Sequence, residues 1–468
     1  MTNSKAGKDQ EKIMAWLISS RKSKDEAENE YAHLGLTDNP FPIEAIVNRN
    51  SDDPRVNGSI FAPEIRQNVI FDFESRLLGR NNPAERYRLG YLWSQGDQAL
   101  GRGVGKTAML NYLQQQLNHN WGVNYFQSNF PACALYVHPE PGMNKLEYVA
   151  VLAMQELVMQ QVLDSALANL RYQTIIENWS VEQAEVVRTL KSEEGQYLLD
   201  ATWLNQHGFD MTDLNDGVTD LLVRAEVEES FAQAIAREGL LDYLKGMRRD
   251  HQLTFRPPPR DTLLYRKANH LFFTQSLRTL KAAGYQGAYL FIDDLENVID
   301  RMGRREREAF AKELGYILLR GDYEAGTSRF LTIVLTTHAA AAQRLSEAWS
   351  LAGLQASLPM SLDAPNSILL PVLNMVESRA VIRCHLENYR LNKLEGSLHP
   401  FTLEAAELLI QHSNYHPREF LAKAHFILEQ ARPVTELSEI DTDFVVMCLE
   451  DTARMKAELN ENIDVSLL

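Results

Sequence analysis

The sequence predicts an α/β fold: a parallel sheet around a phosphate-binding loop, a large helical insertion within it, and an all-helical C-terminal domain. Three observations carry that expectation. A short apolar segment, Leu89 to Ser94, runs into a glycine-rich stretch and then into an amphipathic helix. Two further apolar segments end in polar groups, the paired acids of "FIDD" and the "TTH" that closes residues 329–338. Between the first and second lie far more residues than a sheet needs, and their pattern is helical.

The glycine-rich stretch is "LGRGVGKTAML", residues 100–110. It ends like the pattern G-x-x-x-x-G-K-[ST], although Leu100 stands where the first glycine is expected and Gly101 sits one step along. Strand, glycine loop, helix is the context that gives this motif meaning. Glycines let backbone N–H groups turn inward as an anion nest, and the helix N-terminus adds partial positive charge. Leu110, Leu113 and Leu117 recur at helical spacing behind it. Gly101, Gly103, Val104, Gly105, Lys106, Thr107 and Ala108 are therefore the expected ATP-binding segment. Lys106 would reach the β- and γ-phosphates, and the Thr107 hydroxyl would hold Mg²⁺. The plain alternative is a glycine-rich turn that holds no ligand.

"GAYLFIDDLENVID", residues 287–300, reads as an apolar strand ending in two acids. A carboxylate at a strand's C-terminal end lies in the crevice where α/β sheets bind ligands. Asp293 is expected to hold Mg²⁺ and Asp294 to orient an attacking water. A strand that merely ends in a solvated acidic turn would look the same in isolation. The third strand, "RFLTIVLTTH", would bring Thr336, Thr337 and His338 out beside the γ-phosphate if it neighbours the acidic strand.

Composition sets limits. At 468 residues the chain can bury a large core and divide into two or three units. A net charge of −16 disfavours a protein that coats nucleic acid with its whole surface, though not a local basic patch. The polar start shows no apolar secretory signal, and no run approaches ~18 consecutive apolar residues, so no membrane span is expected. Three scattered cysteines without metal-ligand spacing fit a reducing cytoplasm.

Taken in order, these residues resemble the AAA+ ATPases, nearest the branch of replication initiators (origin-recognition-like) and transposition ATPases. The resemblance rests on the phosphate loop, the IDD strand, the TTH strand and a C-terminal "NYHPREFLAKAHFILEQA". It covers about 31–200 and 261–441. There, His416-Pro417-Arg418 resembles the family's second sensor, with Arg418 reaching the γ-phosphate and Thr337 serving as the first sensor. "YAHLGLTDNPFP", residues 31–42, looks like that branch's lead-in, which would set Phe61 against the adenine. The family usually has Glu where this chain has Asp294, one methylene shorter, so slow hydrolysis and a contribution from Glu296 are both open. Its arginine finger has no clear match. Arg344 is the only arginine between the TTH strand and "NSILLPVL", and takes that place by elimination.

The expected domains are an N-terminal arm and lead-in helix (1–85), the nucleotide core (86–375) and a helical lid (376–468). Ile65, Val69, Phe73 and Leu77 form one face of the lead-in helix. Lys106 and Asp293 are 187 positions apart, whereas two βα units need only about 60 residues. The surplus, about 160–260, is the helical insertion. "FRPPPR", residues 255–260, marks the return to the core. The insertion is acidic in places and suits a protein partner, or else it thickens the core. Arg301, Arg304, Arg305 and Arg307 cluster in "RMGRRERE", either touching DNA phosphates or forming a solvated face with Glu306 and Glu308.

These readings lead to a cytoplasmic, oligomeric, Mg²⁺-dependent ATPase that works as a switch or motor with protein partners, DNA being a second candidate partner. The resemblance implies replication, transposition or antiphage-defence assemblies. The alternative is a nucleotide-gated signalling or scaffold protein with little or no hydrolysis.

Overall fold

The computed structural model describes residues 29–44, 47–49, 51–79, 86–94, 103–118, 132–140, 145–238, 262–299, 301–320, 329–392 and 396–450. The chain forms two compact units, Arg66–Pro371 and the pair of segments Met1–Ile65 with Val372–Leu468.

The first unit is built on five strands: β1 Leu89–Ser94, β2 Cys133–Val137, β3 Ala288–Ile292, β4 Leu331–His338 and β5 Ser367–Leu370. They lie in the order β2-β3-β4-β1-β5, and every pairing is parallel. Helices cover both faces, which is why the strands read as continuous apolar runs rather than alternating ones. The period of two is still visible in what each face touches. Tyr91, Trp93, Leu135, Leu290 and Ile333 share one core with the helices that follow β2. On the other face, Phe73 packs against Tyr289 and Phe291 at ring distances of 6.3 and 6.1 Å.

That second face belongs to α1, Gln67–Phe73, and its π-helical extension Glu74–Leu78. The apolar face read from the sequence thus packs, at Val69, Phe73 and Leu77, on the sheet-bearing unit. Tyr289 Oη donates to Leu77 O at 3.1 Å. Gly90 makes room there, since a Cβ on it would lie 2.5 Å from Leu77 Cδ1.

After β1 comes α2, Lys106–Gln116. Between β2 and β3 lies the expected insertion: α3 Leu146–Met159, α4 Val162–Asn178, α5 Val181–Arg188, α6 Ala201–Gln206, α7 Met211–Arg224, α8 Glu229–Glu238 and α9 Thr262–Ala282. Side-chain caps start several of these. Ser180 accepts from Gln183 N, Asp200 from Thr202 N and Asp210 from Thr212 N. Leu163, Leu167, Val218 and Leu222 join the sheet's own core. Ile175, Val187, Leu204, Phe209 and Leu214 form a separate, outer cluster. The insertion therefore thickens the core with its inner layer and builds a small body of its own beyond it. The "FRPPPR" segment lies outside the described residues.

The unit closes with α10 Leu295–Ile299, α11 Arg304–Arg320, α12 Ala339–Leu351 and α13 Leu354–Ser357. Arg304, from the basic cluster, pairs with Glu308 at 3.2 Å and Glu347 at 2.6 Å. Those carboxylates match the solvated-face reading of that arginine.

The second unit is helical. It contains α14 Met375–Glu387, α15 Leu403–Gln411, α16 Pro417–Ala431 and a further helix from residue 442. Thr402 caps α15 by accepting from Ala405 N at 3.1 Å. Pro417 occupies the first turn of α16, where a missing N–H leaves no bond unmade. Phe420, Leu421, Ala424, Ile427, Leu428 and Ala431 are buried as one stripe. The lead-in segment completes this core with Tyr31, Leu34, Leu36 and Phe41. Asn39 Nδ2 donates to Glu429 Oε1 at 3.0 Å and to His425 O at 3.1 Å, fixing the segment against α16. Among the described residues, no helix is long and apolar enough to cross a membrane.

Candidate functional site

The strand order creates one place where a ligand crevice is expected. From β1 the chain passes across β4 and β3 toward β2, whereas from β4 it passes across β1 to β5. Neighbouring strands whose connections leave in opposite directions open a crevice at their carboxyl ends. Ser94 closes β1, Asp293 follows β3, and Thr336 to His338 close β4, so all the sequence-predicted strand ends meet on this side.

Gly103 and Gly105 enter α2 with φ of 77° and 96°, the left-handed region that a Cβ disfavours. Gly105 O accepts from Met109 N at 2.9 Å and opens the helix. Val104 is buried, and its carbonyl accepts from Arg66 Nη2 at 3.3 Å. Ala108 is half-buried in the first turn. Gly101 lies outside the described residues.

Lys106 is 6% exposed, with Nζ 3.3 Å from Ser94 Oγ at the end of β1. Thr107 Oγ1 donates to Asp293 Oδ2 at 2.6 Å. The two motifs, 187 positions apart in the sequence, thus meet through one hydrogen bond. Asp293 is fully buried and accepts from three further donors: Tyr136 Oη at 2.7 Å, Thr336 Oγ1 at 2.6 Å and Asp294 N at 3.0 Å. A buried carboxylate so surrounded is held in one orientation by donors from β2, β4 and α2.

Asp294 has φ of 48°, uncommon for a residue with a side chain but better tolerated by Asp than by most. Its N–H donates both to Asp293 Oδ1 and to Thr336 Oγ1, the latter at 2.8 Å. The turn swings its own carboxylate away from that of Asp293, to 3.9 Å from His138 Nδ1. Both side chains are partly exposed. Two adjacent acids thereby acquire different surroundings, one sealed and one open to solvent.

Of the two threonines that end β4, the structure brings Thr336, not Thr337, to Asp293. The cause is the strand's period of two: Thr337 is buried on the opposite face, with its hydroxyl 3.4 Å from His338 O. His338 Nδ1 instead caps α12, accepting from Ala341 N at 3.3 Å. Arg344 Nε donates to Ala340 O within α12. The side chain of Glu296, in α10, lies outside the described residues. Phe61 and Arg418 belong to the helical unit, each half-buried, Arg418 at the second position of α16.

Sequence reasoning missed Tyr136, His138 and Thr336 as partners of the acids. Thr336 was legible once the facing of β3 and β4 was fixed, because Ile292 pairs with Leu335 and carries Asp293 to the next position. Tyr136 and His138 required β2, a five-residue strand, to be seen first.

The donor chemistry here suits a hard cation with phosphate. Thr107 and Asp293 offer oxygen ligands, and Mg²⁺ is commonly held by one or two protein oxygens together with substrate phosphates. No cluster of three or more His, Cys, Asp or Glu that could cage a metal occurs among the described residues. That absence leaves the two-oxygen arrangement as the one the site offers. No protein-family model, curated protein or solved structure matches the chain.

Proposed function

We propose that the chain is an ATP-binding, Mg²⁺-dependent ATPase of the AAA+ type, working as a switch or motor in a DNA-associated multi-protein assembly. The observation that carries this reading is the 2.6 Å bond from Thr107 to Asp293, which joins the glycine loop to the acidic strand end. Support comes from the crevice at the switch point and from Lys106, buried at its base.

In this reading the backbone from Gly103 to Thr107 cradles the phosphates, as a helix N-terminus does for anions. Lys106 neutralises the β- and γ-phosphates, and Thr107 with Asp293 would hold Mg²⁺, which supplies charge neutralisation on the triphosphate. Thr336 and Tyr136 keep Asp293 in place. Asp294, on its exposed side, orients the attacking water toward the γ-phosphorus. The helical unit acts as the lid, with Arg418 as its phosphate sensor, and the insertion engages a protein partner.

One observation favours a second reading, a nucleotide-gated scaffold with little turnover. The Asp294 carboxylate is one methylene short of Glu and is drawn toward His138. The experiment that tests the first reading measures ATP affinity and phosphate release, with and without DNA. Wild type should bind ATP with Mg²⁺ and release phosphate, and Lys106→Ala should bind at least a hundredfold more weakly. Tight binding without release under every condition selects the scaffold. Unchanged affinity in Lys106→Ala removes both.

A further inference from the structure

At the opposite end of the same sheet, the chain entering β4, β1 and β5 surrounds a cleft of about 860 Å³. Four guanidinium groups line it: Arg76 from the α1 extension, Arg86 and Arg88 just before β1, and Arg329 just before β4. A strand of six residues, roughly 20 Å of chain, separates this end from the phosphate loop. The concentration of positive charge runs against a chain whose net charge is −16.

The arginines are held mainly by neutral groups. Arg76 donates to Ser367 O, Arg86 to Arg329 O and Arg88 to Leu318 O. Carbonyl bonds fix the plane of a guanidinium, which has five N–H donors, but cancel none of its charge. The carboxylates at hand are Asp72, which pairs with Arg76 at 3.1 Å, and Asp363 in the lining. Burial, and after it the like charge of Arg329, push the Arg88 guanidinium below its ordinary range. Arg329 itself is exposed and held at φ of 53°, an uncommon backbone conformation for a residue with a side chain. The far wall is apolar, from Leu358, Leu362 and Pro365.

We propose that this cleft is a second anion site, which binds a phosphate-bearing small molecule with its phosphate on Arg88 and Arg329 and its body along the apolar wall. Planar, forked donors match phosphate oxygens in pairs, and like charges crowded in a concave, partly desolvated site are relieved by an anion. The volume falls in the range of small-molecule pockets, roughly 300–1,000 Å³. The apolar wall opposite the arginines favours a compact ligand with a non-ionic part over an extended polyanion. The inference stands apart from the ATPase reading, because no residue is shared between the two sites.

The test is a calorimetric titration of the full chain with inorganic pyrophosphate, done in the Lys106→Ala background to silence the phosphate loop. Pyrophosphate should bind, and Arg329→Gln should weaken binding tenfold or more while Arg329→Lys weakens it less. Arg88→Gln should act in the same direction. If that half-buried position disturbs folding, as melting would show, the exposed Arg329 carries the test alone. No binding in the Lys106→Ala background, or unchanged affinity in Arg329→Gln, overturns the proposal. So does binding of a short oligothymidylate or an oligoglutamate through Arg329 while pyrophosphate fails to bind. Loss of pyrophosphate binding in Lys106→Ala alone would place the anion at the loop and leave the ATPase reading standing.

Discussion

Thr336 both donates to Asp293 and accepts from the backbone of Asp294, so one hydroxyl sets the relation between the two acids. Thr337, its neighbour, takes no part in that relation. Thr336→Val should cost about 1–3 kcal/mol by stranding buried polar groups, and Thr337→Val less than about 1 kcal/mol. Urea melts of the two variants measure the difference. Equal losses would mean that the threonine and the carboxylate do not depend on each other.

Asp294→Asn should leave ATP affinity within about threefold of wild type and lower phosphate release tenfold or more, given the typical scale of a general-base or water-positioning group. Single-turnover phosphate release is the readout. Undiminished turnover would take Asp294 out of the water-orienting role and turn attention to other groups along α10.

The helical unit should carry a pH dependence of its own. His385 is buried against Pro40 O at 3.1 Å, and burial pushes its pKa down to about 4. Its unfolded value is near 6.5, so between those limits the unfolded chain binds the extra proton and the folded chain does not. The stability held by neutral His385 is present above about pH 6.5 and falls as pH drops toward 4, by up to about 1.4 kcal/mol per pH unit. Denaturation of wild type and His385→Gln from pH 7 to pH 4.5 should show a shallower slope in the variant.

Gly90→Ala should destabilise the sheet unit by about 1–3 kcal/mol, because its methyl would strike the buried side chain of Leu77. A double variant with Leu77→Ala should recover part of that loss. Additive losses would show that the close approach is not the reason for the glycine.

Much of the arrangement was legible in the residues. Lys106, Thr107 and Asp293 announce themselves through spacing that only phosphate chemistry requires, and the structure joins the last two directly. The stripe from Phe420 to Ala431 was legible because 3.6-residue periodicity survives without tertiary context. Thr336 and Thr337, by contrast, are adjacent and alike in the sequence. Only the register of β4 against β3 decides which one faces the acid. Cys133 to Val137 was illegible for another reason: a five-residue buried strand has no polar face, and its run of apolar residues resembles part of a helix. The place of residues 31–41 in the helical core depends on residues nearly four hundred positions away, which no local pattern encodes.

That last feature bears on how the molecule is made. Tyr31 Oη donates to Glu429, 398 positions later, and the sheet-bearing unit is the chain between them. At ~5–20 residues per second, a ribosome needs roughly 20–80 s to deliver the partner. Throughout that interval the emerged Tyr31, Leu34 and Phe41 have no native surface to join, while the sheet can already assemble. The helical unit is therefore the last to mature, and its N-terminal third is the part of the newborn polypeptide most in need of a chaperone's protection.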